Sequence, residues 1–219
     1  MTYVLIHGAG DVAWYWHLVS DELRVRGHEV VAVDLPCDDE SARWSDYART
    51  VLSAIGGRTN ITVVAQSLGG FTAPLVAAET PVELMVFVAA MIPRPGEKAN
   101  DYWANTKYPG SSVDMSDPIA LFYHDVPRAL AEDAVRHGRK QAEAIGGEPW
   151  PLKAWPDCPS RFLLCRDDRM FPREWLREVV RDRLKIEPDE IDGGHCPALA
   201  RPKQLVDRLQ AYAKDLSKR

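Results

Sequence analysis

Three residues of the kind that cooperate in covalent catalysis, Ser67, Asp168 and His195, occur in this order, each just beyond a segment that reads as a strand. A serine hydroxyl is a poor nucleophile at neutral pH, so it needs a base that titrates near neutrality and a carboxylate to orient that base. Together the three would support acyl transfer through a serine-bound intermediate. Among six histidines, His195 follows a late strand and the pair Gly193-Gly194, a loop able to set an imidazole over the carboxyl edge of a sheet. His7 reads as a brace of its own loop, and His17, His28, His124 and His137 as surface or packing residues.

The serine lies between the β-branched run Ile61–Ala65 and an amphipathic segment carrying Leu68, Phe71, Thr72, Leu75 and Val76. Gln66-Ser67 must therefore occupy a tight strand-to-helix turn, which requires small neighbours such as Ala65 and Gly69. Ala65 replaces the first glycine of the G-x-S-x-G pattern, and an ordinary N-cap serine is the competing explanation of the same residues. Pro74, inside the following helix, is expected to remove a backbone bond to Gly70 and bend it.

The acid candidate closes the strand Arg161–Cys165, where Arg166-Asp167-Asp168 precede Phe171-Pro172. Alternation along an extended segment sends neighbouring side chains opposite ways, so Asp167 rivals the preferred Asp168.

The loop His7-Gly8-Ala9-Gly10-Asp11-Val12-Ala13 has two readings. Its spacing matches a dinucleotide-binding fingerprint, with Asp34 as the ribose ligand of a nicotinamide-dependent oxidoreductase. Against that stand His7, the bulky Trp14-Tyr15-Trp16 that follows, and the lack of a Tyr-x-x-x-Lys pair. In the second reading the loop lies beside Ser67, and the amides of Ala9 and Leu68 form an oxyanion hole.

The elements that would position these groups alternate in type. Apolar runs at Tyr3–Ile6, Val30–Asp34, Ile61–Ala65, Leu84–Ala89 and Arg161–Cys165, with a weaker one at Glu190–Asp192, are separated by helical periodicity, which predicts a doubly wound α/β fold with a mostly parallel sheet. Trp44, Tyr47, Ala48, Val51, Leu52 and Ile55 mark a helix stopped by Gly56-Gly57; others precede Gly27 and follow Pro202. From Pro93 to Trp155 the rhythm breaks: prolines and aromatics abound, and the best helix runs from about Pro127 to Ala142. This segment is expected to be a helical lid inserted into a single domain, with Trp103, Trp150 and Tyr123 as substrate contacts. A purely structural subdomain is the alternative.

With 219 residues, 46% of them hydrophobic, one domain can bury a full core, and a net charge of −5 offers nothing to nucleic acid or anionic membrane. The longest apolar run, Leu84 to Ile92, is nine residues, about half of the roughly 20 needed to span a bilayer. No secretory signal precedes the first strand, and four cysteines without CxxC spacing read as free thiols, so a cytoplasmic location is expected, with no metal and no cofactor.

On Val4-Leu-Ile-His-Gly-Ala9 with its aromatic cluster, Gln66-Ser-Leu-Gly-Gly70, Phe87-Val-Ala-Ala90 leading to Pro93, Cys165-Arg-Asp-Asp168 with Pro172, and Gly193-Gly-His195, the chain resembles the α/β-hydrolases of the plant methylesterase and hydroxynitrile lyase branch and similar small bacterial esterases. The resemblance implies the α/β-hydrolase fold with six strands in order 2-1-3-4-5-6 and places the triad acid on Asp168. The lyases of that branch carry a threonine at the position of Gly8 and a lysine at that of Cys196; neither is present, so the resemblance points to hydrolysis of a small apolar or aromatic carboxylic ester. A ligand receptor on the same fold, carbon–carbon bond hydrolysis and perhydrolysis are alternatives that these residues do not separate. The expected partner is a small-molecule ester, and homodimerisation is left open.

Overall fold

Strands buried on both faces and alternating with amphipathic helices have one stable solution, a parallel sheet covered by helices on each side. The computed structural model, which describes residues 1–114 and 116–216, has this architecture. Strands β1 (Thr2–Ile6), β2 (Glu29–Ala32), β3 (Ile61–Ser67), β4 (Leu84–Ala90), β5 (Ser160–Cys165) and β6 (Asp189–Ile191) form one sheet in the order β2-β1-β3-β4-β5-β6. Every neighbouring pair is parallel. The order reverses between β1 and β3, and at such a switch point the connections leave in opposite directions and open a crevice beyond the carboxyl ends.

Between the strands lie α1 (His17–Val25), α2 (Trp44–Ile55) and α3 (Ala73–Glu79); after β5 come α7 (Arg173–Leu184), α8 (Pro197–Ala200) and α9 (Pro202–Leu216). Helix α1 packs beside α9 and α2 beside α3. Every residue of β4 is buried, as is β3 up to Gln66, because both faces of the central strands are covered. Helix α2 has the expected bounds, and Gly56 supplies the positive φ of 58° at its end.

Two expectations are corrected. Pro74 bends nothing: Leu68–Phe71 is a separate 3-10 turn, α3 starts at Ala73, and Pro74 falls in the first turn, where no intrahelical acceptor is needed. The helix expected from Pro127 to Ala142 is shorter, spanning Arg128–His137. Beyond it the backbone bonds to the core instead: Arg139 N–H donates to Gly10 O and Ala142 N–H to Cys37 O, both at 2.6 Å.

That helix, α6, belongs to the segment between β4 and β5, with α4 (Tyr102–Asn105), α5 (Pro118–Phe122) and 3-10 turns. No named strand occurs there among the described residues; Lys98 and Pro149 form an isolated antiparallel bridge at its base. Near that base, Glu97 and Arg183 of α7 form an ion pair with both side chains almost fully buried. The four cysteines are unpaired, and no described helix is long and apolar enough to cross a membrane.

Candidate functional site

Ser67 ends β3 where the ladder is irregular: the register with β4 shifts between Gln66 and Ser67, and Ser67 lies opposite Ala90. Its backbone has φ 51° and ψ −124°, a region a non-glycine residue occupies at a cost of about 1–3 kcal/mol. The surroundings impose this turn. A Cβ on Gly69 would come within 2.7 Å of His7 O, and one on Gly70 would collide with Met91 O. Met91 N–H donates to Ser67 O at 2.9 Å, tying the turn to the next strand end. Ser67 is thus a strained corner residue whose side chain makes no capping bond, and its hydroxyl has no hydrogen-bond partner among the described residues.

The Gly8–Ala9 loop presses against this corner. A Cβ on Gly8 would lie 2.8 Å from Ser67 Cβ and 2.6 Å from Gln66 Oε1, so a larger residue there displaces the serine. His7 braces the loop from within the core: its Nε2 accepts Leu35 N–H at 3.1 Å, so Nδ1 carries the proton and donates to Gly8 O at 2.8 Å. Burial pushes the His7 pKa down to about 4, against the smaller upward effect of the Gly8 carbonyl. Strand β2 ends at Ala32, short of Asp34, whose Oδ1 accepts Ala13 N–H at 2.6 Å. The carboxylate that a ribose would need is therefore engaged by the loop itself.

The ambiguity between the two aspartates has a geometric answer. Asp168 Oδ2 lies 2.8 Å from His195 Nδ1, and Asp168 Oδ1 accepts the amides of Met170 at 2.8 Å and Phe171 at 2.9 Å. Asp167 instead faces the other way, its Oδ2 accepting Gly193 N–H at 3.1 Å. The His195 ring is almost fully buried and packs edge-on against Phe171, with centroids 4.9 Å apart. With Nδ1 directed at a carboxylate, Nε2 is the nitrogen left to act as a base.

Ser67 and Ala9 stand between two cavities, lining both. One, of about 460 Å³, is also lined by Leu68, Trp103, Ile145, Met170 and Phe171. The other, of about 300 Å³, is lined by His195, Cys196, Asp11, Tyr123 and Arg139 as well. Phe122 is shared by the two. Ala9 N–H has no protein acceptor among the described residues, and Leu68 N–H is the first amide of the 3-10 turn.

Of the expected substrate contacts, Trp103 lines the larger cavity and Tyr123 the smaller. Trp150 is corrected: it lines neither, is 1% exposed, and its indole N–H donates to Phe71 O at 2.8 Å. A fully buried indole must spend its N–H inside the protein, and this one fastens the segment after β4 to the helical turn following Ser67. Three polar residues were not read as site residues from the sequence. Gln66 Nε2 donates to His195 O at 3.2 Å; its place beside the serine was the available signal. Asp11 and Gln141 line the cavities, and only tertiary structure brings Gln141 there.

The thiol of Cys196 is pushed well up by burial and then by Asp11 and Asp168. Arg139 lines the same cavity as Cys196, and its guanidinium is held by Asp38 at 3.0 Å and Leu35 O at 2.7 Å.

A family model described as Alpha/beta hydrolase family matches residues 3–208. Norfluorocurarine synthase 2 of Strychnos sp is 32% identical, covering 94% of this chain and 93% of its own. Methylesterase 7 of Arabidopsis thaliana is 27% identical over 96% of this chain and 95% of its own. Among solved structures, polyneuridine aldehyde esterase superposes with a TM-score of 0.82 at 19% identity, covering 97% of this chain and 98% of that one, which is a likeness of fold.

Proposed function

Because the chain belongs to the alpha/beta hydrolase family, we propose that it is a carboxylic ester hydrolase in which Ser67 is the nucleophile, His195 the general base and acid, and Asp168 the group that orients His195. The observation that carries this reading is the position of Ser67: a strained corner facing two cavities, one of which it shares with an imidazole already bonded through Nδ1 to a carboxylate. The relatives named as esterases support the reaction class and leave the substrate open.

In this reading His195 Nε2 takes the Ser67 proton as Oγ attacks the ester carbonyl carbon, and the developing oxyanion is met by the amides of Ala9 and Leu68. His195 then returns the proton to the departing alcohol oxygen, and the acyl–Ser67 bond is cleaved by a water that His195 activates. The leaving alcohol must lie on the side of the imidazole that protonates it. That places the alcohol portion in the 300 Å³ cavity with His195 and the acyl portion in the 460 Å³ cavity, whose walls of Trp103, Met170 and Phe171 suit an apolar or aromatic acyl group. The segment over the sheet then acts as a lid, supplying Trp103 to one compartment and Tyr123 to the other. A cytoplasmic location belongs to the same reading and is supported by four unpaired thiols.

The test is hydrolysis of short aryl esters by the wild type and by Ser67→Ala, together with mass spectrometry after treatment with a serine-directed phosphonate. The expected result is adduct on Ser67 and loss of turnover in the variant; turnover retained by Ser67→Ala would refute the assignment.

A further inference from the structure

The smaller cavity contains chemistry that ester cleavage alone does not require. Asp11 lines it, and only one of its carboxylate oxygens is committed: Oδ1 accepts the Val12 N–H at 2.9 Å, while Oδ2 has no protein partner among the described residues. Tyr123 lines the same cavity from the segment between β4 and β5, and its hydroxyl is likewise without a protein partner among the described residues. The two groups do not bond to each other; burial pushes the phenol up first, and the neighbouring Cys196 and Asp11 add to that rise. The nearby guanidinium of Arg139 does not fill the gap, since its hydrogen bonds go to Asp38, Leu35 O and Asp11 O.

Both groups face the small cavity in which the departing alcohol must lie.

 

Those groups ask for one kind of ligand. A carboxylate oxygen accepts a hydrogen bond, and a phenol both donates and accepts, so a hydroxyl that donates to Asp11 and accepts from Tyr123 satisfies both at once. We propose that Asp11, assisted by Tyr123, is a specificity-determining residue of the alcohol compartment and selects esters whose alcohol portion carries a second hydroxyl group. The inference rests on the assignment of the leaving alcohol to the His195 side. Burial raises the Asp11 pKa to about 6, against Val12 N–H, Arg139, His137 and His195, so at pH 7 and above the carboxylate form that accepts this bond prevails.

The test compares esters of one acyl group with ethanol, ethylene glycol and 2-aminoethanol, the last esterified through its oxygen, using wild type, Asp11→Asn, Tyr123→Phe and Ser67→Ala. The readout is the ratio of kcat/KM for the hydroxyethyl ester to that for the ethyl ester, taken on one preparation so that loss of folded enzyme cancels. A hydrogen bond to a charged group corresponds to roughly ten-fold or more in that ratio. The expected result is a wild-type ratio of about ten or higher, reduced about ten-fold in Asp11→Asn and several-fold in Tyr123→Phe. A ratio near one in the wild type, a ratio unmoved by Asp11→Asn, or a stronger preference for the aminoethyl ester would overturn the proposal. Turnover in Ser67→Ala would instead overturn the hydrolase mechanism itself, so the two failures are distinguishable.

Discussion

The side-chain oxygen of Gln141 accepts the backbone N–H of Gly10 at 3.1 Å, so a residue from the segment between β4 and β5 holds the loop that carries Ala9. Gln141 Nε2 in turn donates to Tyr47 Oη at 3.0 Å and to Cys37 O at 3.3 Å, fixing the carboxamide from the far side. Gly10 has φ 62°, and a Cβ there would lie 2.6 Å from Arg139 O, which shows how closely the two segments approach. The segment between β4 and β5 is therefore anchored at this point to the loop proposed to stabilise the oxyanion.

Gln141→Leu should let that loop relax. Complete loss of one oxyanion donor costs about 10²–10³ in turnover, and a misaligned donor should cost about ten-fold, with kcat falling more than KM rises. Steady-state kinetics on an aryl ester decide it, and a change confined to KM would count against a positioning role for Gln141.

Asp168→Asn and Asp167→Asn should differ sharply. Asparagine at 168 can keep one oxygen on the Met170 and Phe171 amides but then presents an NH₂ group to His195 Nδ1, favouring the tautomer that has no free base at Nε2. The expected loss of kcat is on the order of 10³–10⁴. At 167 the bond from Gly193 N–H survives on the remaining oxygen, and the expected loss is less than ten-fold. Equal losses in the two variants would contradict the assignment of the acid.

The parallel direction of the strands was legible because buried parallel strands leave continuous apolar runs, as in Leu84–Ala90, whereas their order followed from the family resemblance alone. The turns that carry Ser67 and His195 were legible for a similar reason, since tight turns restrict their neighbours to small residues. What could not be read was whatever depends on partners distant in sequence. Alternation alone could not say which of Asp167 and Asp168 faces His195; the amides of Met170 and Phe171 turn back onto the Asp168 carboxylate, which lies against the imidazole. Residues 139–142 have helical neighbours yet leave the helix because Gly10 and Cys37 offer them backbone partners. Trp150 looks like any lid aromatic until Phe71 O is seen to take its N–H.

The buried pair of Glu97 and Arg183 predicts a stability effect away from the chemistry. Arg183 bonds Glu97 with both nitrogens of its fork, at 2.5 and 2.8 Å, and stacks over the Tyr102 ring at 4.7 Å. Burial would raise the Glu97 pKa, but the bonds from Arg183 and Asn105 outweigh it and hold the carboxyl below its usual range. Glu97→Ala leaves the guanidinium buried without its partner and should cost about 3–5 kcal/mol in urea unfolding. The double variant Glu97→Leu/Arg183→Met should recover much of that loss. Additive losses in the double variant would mean that the pair is not coupled.

His7 predicts an acid limit to stability. Its pKa is about 4 in the folded protein, where burial disfavours the imidazolium, against about 6.5 in an unfolded chain. Between those values the unfolded state binds the extra proton, so stability is fully present above pH 6.5 and is lost as pH falls toward 4. The difference corresponds to on the order of 3 kcal/mol. Asp11 works in the opposite direction: its pKa is raised to about 6 by burial, so the folded state binds a proton before the unfolded state does, and stability rises as pH falls from 6 toward the ordinary carboxyl value. The wild-type curve mixes the two effects, and the comparison with His7→Gln separates them. Urea unfolding at pH 7, 6, 5 and 4 should show a shallower loss of stability in His7→Gln than in the wild type, even though the variant starts lower because Leu35 N–H and Gly8 O lose their imidazole partner. Parallel curves for the two proteins would show that His7 does not titrate on unfolding.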